Sequence, residues 1–275
     1  MICQCCGSNL FYYRRYNLHI FTLKGFIKYL FFNSIFSRRK IYLCKVCSFG
    51  YVKISQEILD NYYKKKYWDL RKRKKNDILP SNQNDYKAQY QFDFISKHSK
   101  SIRNILEIGG GYSSFSRLYR SKHKKVELYV YEPSSAFDEF YKKNNIIKID
   151  IDDQIYDHIH VSHVLEHICQ PEKFIDSLKK NLSVNGTIYI EVPNCNKEYF
   201  KLNFIDTPHV NFFTDKSLKI MLNNCGLKII DINTFGQNWG SFYDYKNQVH
   251  SFKKLPQSNF SLNENGITLR LIAKK

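Results

Sequence analysis

Negative charge is scarce at the front of this chain. In residues 1–100, 6 Asp/Glu stand against 20 Lys/Arg, a net of +14, whereas the remaining residues carry 19 against 23, a net of +4, within a whole-chain charge of +18. The basicity therefore belongs to the first third. It suits an anionic partner such as nucleic acid, a membrane surface or a phosphorylated acceptor, and it equally suits a solvated surface. A signal-peptide layout is missing, because cysteines stand where a basic start and an apolar stretch would be needed. A membrane span is missing as well: the most apolar window, residues 18–36, is broken by Lys24, Gly25, Lys28 and Asn33. No internal repeat is present. A cytoplasmic chain with reduced thiols is the expectation.

What is present divides into three zones. Residues 1–55 hold five of the eight cysteines among aromatic and basic filler. Residues 56–100 are polar and helix-prone, with the run Arg71-Lys72-Arg73-Lys74-Lys75 and a break at Pro80-Ser81-Asn82. From residue 101 to 275 short apolar strands alternate with helical patterns, the sign of an α/β sandwich. Strands are expected at 104–108, 126–131, 146–149, 155–161, 187–192, 227–232 and 267–273. Helices are expected at 113–121, from Ser134, at 172–181 behind Pro171, and at 215–224 before the glycine C-cap Gly226.

The first strand runs into Gly109-Gly110-Gly111 and then directly into a helix. Such a turn brings backbone N–H groups close to a ligand at a helix N-terminus. Glu132 ends the second strand about 20 residues later, where an acid can accept hydrogen bonds from both hydroxyls of an adenosine ribose. That pair of signals fits NAD and S-adenosylmethionine equally well.

The wider run is more specific. It comprises Leu106-Glu107-Ile108-Gly109-Gly110-Gly111, Tyr131-Glu132-Pro133-Ser134, Tyr156-Asp157, His163-Val164-Leu165-Glu166-His167, Asn185-Gly186, Glu191-Val192-Pro193-Asn194 and His209-Val210-Asn211-Phe212-Phe213-Thr214. In this order the chain resembles the class I S-adenosylmethionine-dependent methyltransferases, and more narrowly the branch with an HVLEH signature after strand four, over residues 101–232. The resemblance implies a Rossmann-like, seven-stranded and mostly parallel sheet whose last strand is antiparallel. It implies that Glu107, Gly109, Gly110 and Gly111 border the methionine end of S-adenosylmethionine and that Glu132 holds the ribose. Asp150 or Asp152 would then lie near the adenine, and His163 beside the methyl donor. Ser113 departs from the usual third glycine of the turn.

Methyl transfer needs a positioned acceptor and often a base, for which imidazole is suited. His163 and His209 are the expected acceptor-side pair; His167, four residues after His163, projects to the same side on a helical turn or simply packs. The HExxH metalloprotease order is absent. Cys3-x2-Cys6 and Cys44-x2-Cys47 have zinc-knuckle spacing and are expected to make a closed structural zinc site, although 37 residues separate the pairs and Cys5 offers another register. Cys169, Cys195 and Cys225 read as packing residues. Tyr62-Tyr63-Lys64-Lys65-Lys66-Tyr67-Trp68 reads as a lid that stacks on a sugar or base, or as a packed helix face. The expected acceptor is an anionic small molecule such as a nucleotide-linked sugar, within sugar or surface-polysaccharide modification. The alternative is RNA, held on the basic cysteine-bearing front, although the Asn/Asp-Pro-Pro-aromatic motif is absent after strand four. The stretch 241–265 carries no functional reading.

Overall fold

The computed structural model describes residues 1–15, 39–63, 82–99, 101–150, 154–202, 209–239 and 262–275. The apolar window 18–36, the charge run 71–75, Asp152, residues 64–68 of the lid and residues 241–261 of the tail lie outside the described residues.

Seven strands form the main sheet: β4 (Asn104–Ile108), β5 (Glu127–Tyr131), β6 (Ile147–Lys148), β7 (Tyr156–Ser162), β8 (Leu182–Pro193), β10 (Lys228–Phe235) and β11 (Thr268–Lys274). Their order is β10-β11-β8-β7-β4-β5-β6. β4 to β8 pair in parallel, and β11 runs antiparallel to both β8 and β10. Helices cover both faces, so the central strands read as nearly continuous apolar runs; Ile105, Leu106, Ile159, Val161, Ile188 and Ile190 are fully buried. The α/β sheet expected from the sequence is therefore present, with its antiparallel last strand.

The covering helices are α2 (Asn82–Ser96), α3 (Ser114–Lys122), α4 (Asp138–Lys143), α5 (Pro171–Lys180), α6 (Lys197–Lys201) and α7 (Asp215–Asn224), with a short α1 (Gln56–Asn61) ahead of them. Local chemistry fixes their ends. Pro171 opens α5, where its missing N–H costs nothing. Thr214 and Ser217 exchange backbone and side-chain hydrogen bonds as a capping box on α7.

After β4 the chain builds β5 and β6 on one side, then crosses to place β7 on the other. The carboxyl ends of β4 and β7 thus flank a topological switch point, where open α/β sheets keep their ligand crevice.

The front of the chain forms a second, antiparallel sheet of β1 (Leu10–Arg15), β2 (Lys40–Cys44), β3 (Gly50–Val52) and β9 (Asn211–Phe212). Its fourth strand comes from far along the chain, between β8 and α7, which locks the cysteine-bearing segment to the main sheet. Gly50 is required at that seam, since a Cβ there would stand 2.9 Å from the Cβ of Phe212. Further ties are the Thr214 hydroxyl donating to the Cys47 carbonyl at 3.0 Å and the Asn224 amide donating to the Cys5 carbonyl at 2.9 Å. Phe49 packs on Phe213 at 5.3 Å between ring centres.

Candidate functional site

At the end of β4 the backbone turns through left-handed conformations, φ +63° at Gly109 and +52° at Gly111. A Cβ on Gly109 would also meet the Val164 side chain at 2.8 Å, so glycine is needed there for both conformation and space. Ser113, in the place of a third glycine, adopts φ +46° and precedes α3. The departure from glycine thus leaves the left-handed step in place.

Glu132 follows β5 and is buried. Its carboxylate accepts from the N–H of Gly111 at 3.4 Å and from the N–H of Ser134 at 3.1 Å. Burial raises its pKa, against the lowering effect of those two amides. Glu107, on β4 just before the turn, is buried and accepts from the Ser116 hydroxyl at 2.5 Å. Desolvation dominates there and pushes the acid up to about 7. Glu107, Gly109 and Gly110 line a cavity of about 170 Å³ with Lys87, Gln91, His160 and Ser162. Asp150 is exposed beyond β6; burial and then the charges of Asp60, Asp150 and Glu132 raise the phenol of Tyr131.

A larger cleft of about 1100 Å³ opens beside the turn. Gly109, Gly111, Tyr131 and Glu132 form one wall; His163, Val164, His167 and Ile168 form another. The front segment supplies a third through Gln4, Tyr51, Ile54, Gln56, Asp60 and Tyr63. Cys169 helps to seat that wall, since its N–H donates to Gln56 and its thiol to the Ile54 carbonyl.

His163 ends β7 at φ +54°, a strained position for a non-glycine residue and one more often seen at functional sites. Its Nδ1 lies 3.2 Å from Oε1 of Glu166, and its Nε2 lies 3.1 Å from Oε1 of Glu191. Burial and the Lys87 charge lower its pKa, but hydrogen bonds to the two carboxylates outweigh them and the net shift is upward. A carboxylate facing each ring nitrogen favours the doubly protonated ring.

Glu166 is almost fully buried in the short turn Leu165–His167. Besides His163, its Oε1 stands 3.7 Å from Nε2 of His167 and 4.0 Å from Nε2 of His209. Burial works against its charge, but the surrounding imidazoles hold it down at about 2. The structure therefore brings His163, His167 and His209 together around one carboxylate. The His167 ring packs on Tyr63 at 5.5 Å and on His209 at 4.9 Å.

Two further residues take roles in the site that the sequence did not assign. Glu191, fully buried on β8, lies 2.8 Å from the Lys87 ammonium and accepts from Ser162 (3.0 Å), Gln91 (3.1 Å) and Tyr189 (2.6 Å). In the sequence it stands only as part of the run Glu191-Val192-Pro193-Asn194, with no role attached. Lys87, on α2, had no signal, because its partner lies about a hundred residues away in sequence.

The thiols of Cys3, Cys6, Cys44 and Cys47 all lie within 4.8 Å of one another. Cys3 faces Cys47 at 3.5 Å and Cys6 faces Cys44 at 3.4 Å. Each pair ends in the same tight turn: Gly7 at φ +72° donates to the Cys3 carbonyl, and Ser48 at φ +60° donates to the Cys44 carbonyl. The buried thiol of Cys5 is not one of these four but stands in hydrogen-bond contact with Cys3 and Cys47.

The family model described as "Methyltransferase domain" matches residues 63–232. No curated protein matches the chain significantly. Among solved structures, a SAM-dependent methyltransferase from Archaeoglobus fulgidus is similar at 18% identity and TM-score 0.52, over 76% of this chain and 100% of that one. The plantazolicin methyltransferase BpumL, solved in complex with SAH, is similar at 17% identity and TM-score 0.53, over 79% and 94%. A possible histamine N-methyltransferase from Thermotoga maritima reaches 14% identity and TM-score 0.51, over 76% and 99%. Matched over more than half its length, the chain belongs to this methyltransferase-domain family, and it is a methyltransferase with the fold of the S-adenosylmethionine-dependent enzymes.

Proposed function

We propose that this methyltransferase uses S-adenosylmethionine to methylate a small anionic acceptor, with a nucleotide-linked sugar as the leading class. One observation carries the reading: the glycine turn with Glu132 borders the same cleft as His163 and His167, which gather around the buried Glu166. The residues fit an adenosine cofactor. Nothing stands within 4 Å of where a Cβ on Gly111 would be, and the buried Glu132 carboxylate lies across from it, suited to two ribose hydroxyls. Glu107, Gly109 and Gly110 would border the methionine end, with Asp150 or Asp152 toward the adenine.

When bound, the cofactor supplies a sulfonium methyl group that an acceptor nucleophile displaces in line. The chain must place that nucleophile and stabilise its deprotonated form. His167 and His209 do this at Glu166. His163 contributes through that carboxylate, because both its nitrogens are already engaged. Lys87, half-exposed above Glu191, adds positive charge at the junction of the two cavities. At the front, four thiolates of Cys3, Cys6, Cys44 and Cys47 suit a closed tetrahedral zinc site that braces the cleft wall.

A second reading, RNA methylation, draws on β1 and β2, where the exposed rings of Phe11 and Tyr12 carry Lys45 and Lys40 over their faces at 4.5 and 5.9 Å. Such pairs can stack on bases. Isothermal titration with S-adenosylhomocysteine, followed by a methyl-release assay across nucleotide-sugars and RNA, tests both. Failure to bind the cofactor product overturns the proposal. Steep salt dependence of acceptor binding favours RNA.

A further inference from the structure

We infer that Glu166, His167 and His209 form a second, sulfur-free metal site that takes a divalent transition-metal ion at the acceptor end of the cleft. Three donor atoms converge there: one carboxylate oxygen and a ring nitrogen from each of two imidazoles, all within 4.8 Å of one another. The separations of 3.7 and 4.0 Å from Glu166 Oε1 to the two Nε2 atoms are too long for hydrogen bonds. An ion bonded at about 2.1 Å to each donor holds its ligands roughly 3 to 4 Å apart. The other oxygen, Oε2, is buried and has no hydrogen-bond partner among the described residues.

The surroundings match a metal site as well. A ligating carboxylate is normally oriented by a hydrogen bond from behind. His163 supplies one at 3.2 Å, and it is fixed in turn by Glu191 and Lys87. This ladder of buried charges is costly, and methyl transfer from a sulfonium does not itself require it. Two imidazoles and one carboxylate leave coordination positions open and suit Fe(II), Co(II), Ni(II) or Zn(II). His167 lines the cleft, so an open position there would receive an acceptor offering an oxygen or nitrogen donor. That role for the ion rests on the methyltransferase reading; the site itself does not.

The test is metal stoichiometry of the full chain with cobalt(II). The expected result is two ions per chain: one with the strong thiolate charge-transfer absorption of the cysteine site, and one with only weak nitrogen and oxygen ligand-field bands. Glu166→Gln and His209→Gln should keep the first signal and lose the second. His163→Gln should weaken the second ion about 10- to 100-fold. S-adenosylhomocysteine titration of each variant reports whether it is folded. A wild-type chain that takes cobalt only at the cysteines overturns the site, as does a second ion retained in folded Glu166→Gln. Binding of two ions without S-adenosylhomocysteine binding would instead count against the cofactor reading and leave the site standing.

Discussion

His163 and Glu191 meet at the carboxyl edge of the sheet, with the imidazole Nε2 at 3.1 Å from a carboxylate that is wholly buried. A buried charge of this kind survives only through its partners, among which the Lys87 ammonium stands at 2.8 Å. Lys87→Met should therefore destabilise the fold by about 2 kcal/mol, the scale of a lost charged hydrogen bond at a partly solvated site. Urea denaturation at neutral pH measures this. A stability equal to wild type would show that Ser162, Gln91, Tyr189 and His163 suffice.

The two buried acids of the site respond to pH with opposite signs. For Glu191, burial opposes ionisation but Lys87 and His163 hold the acid well below its ordinary value of 4.5. Its contribution to stability is thus full above about 4.5 and is lost as pH falls through the depressed value. For Glu107, desolvation wins and the acid titrates at about 7 instead of 4.5. Its contribution is full below about 4.5 and is lost as pH rises through 7. A cofactor ammonium beside Glu107 would reverse that cost. Affinity for S-adenosylhomocysteine should fall about tenfold per pH unit below 7, and Glu107→Gln should flatten the profile. A wild-type affinity constant from about pH 6 to about pH 8 would separate Glu107 from the methionine end.

Glu132 offers a cleaner probe of the ribose. Loss of two hydrogen bonds to a charged acceptor is worth about 2 to 4 kcal/mol, so Glu132→Ala should weaken S-adenosylhomocysteine binding by ~30- to 1000-fold. The same titration on Glu132→Ala reads it directly. A change under about threefold would place the ribose elsewhere.

Legibility in the sequence followed the range of the forces. Strand 104–108 and helix 215–224 were readable to the residue, because a short apolar run, a glycine turn and a glycine C-cap are all local signals. Glycine turn, Glu132 and the histidine run were readable as a constellation because each ends a strand of a parallel sheet. The four-stranded front sheet was not. Its β9 is two residues, Asn211–Phe212, and exists only because Gly50 lets β3 approach. The pairing of Lys87 with Glu191 was invisible for the same reason, as it is tertiary. His163 looked like a free base in sequence; its carboxylate partners on both sides became visible only in the fold.

The cysteine site carries its own prediction. Zinc across Cys3, Cys6, Cys44 and Cys47 would contribute directly to folding, and the segment it closes forms one wall of the cleft. One stoichiometric zinc is expected at these thiols, with Cys5→Ser retaining it and Cys44→Ser losing it. Chelation should lower Tm by roughly 5 °C or more, the scale of a loss of a few kcal/mol in a chain of this size. Metal analysis with a thermal scan decides, and absence of zinc with all four thiols reduced would remove the knuckle.

His209 separates acceptor chemistry from cofactor binding. Its side chain points at Glu166 and packs on His167. The backbone around it is held independently, since the N–H of Val210 donates to the Glu166 carbonyl and the N–H of Val52 donates to the Val210 carbonyl. Removing the imidazole should therefore leave β9 and the cofactor wall in place. His209→Ala should lower kcat by about 10²- to 10⁴-fold, the range for losing a group that stabilises the deprotonated nucleophile, while the Kd for S-adenosylhomocysteine stays within about threefold. Steady-state kinetics paired with titration make the comparison. Equal losses in both would mean that His209 supports the cleft as a whole, and the acceptor assignment would then pass to His167 alone.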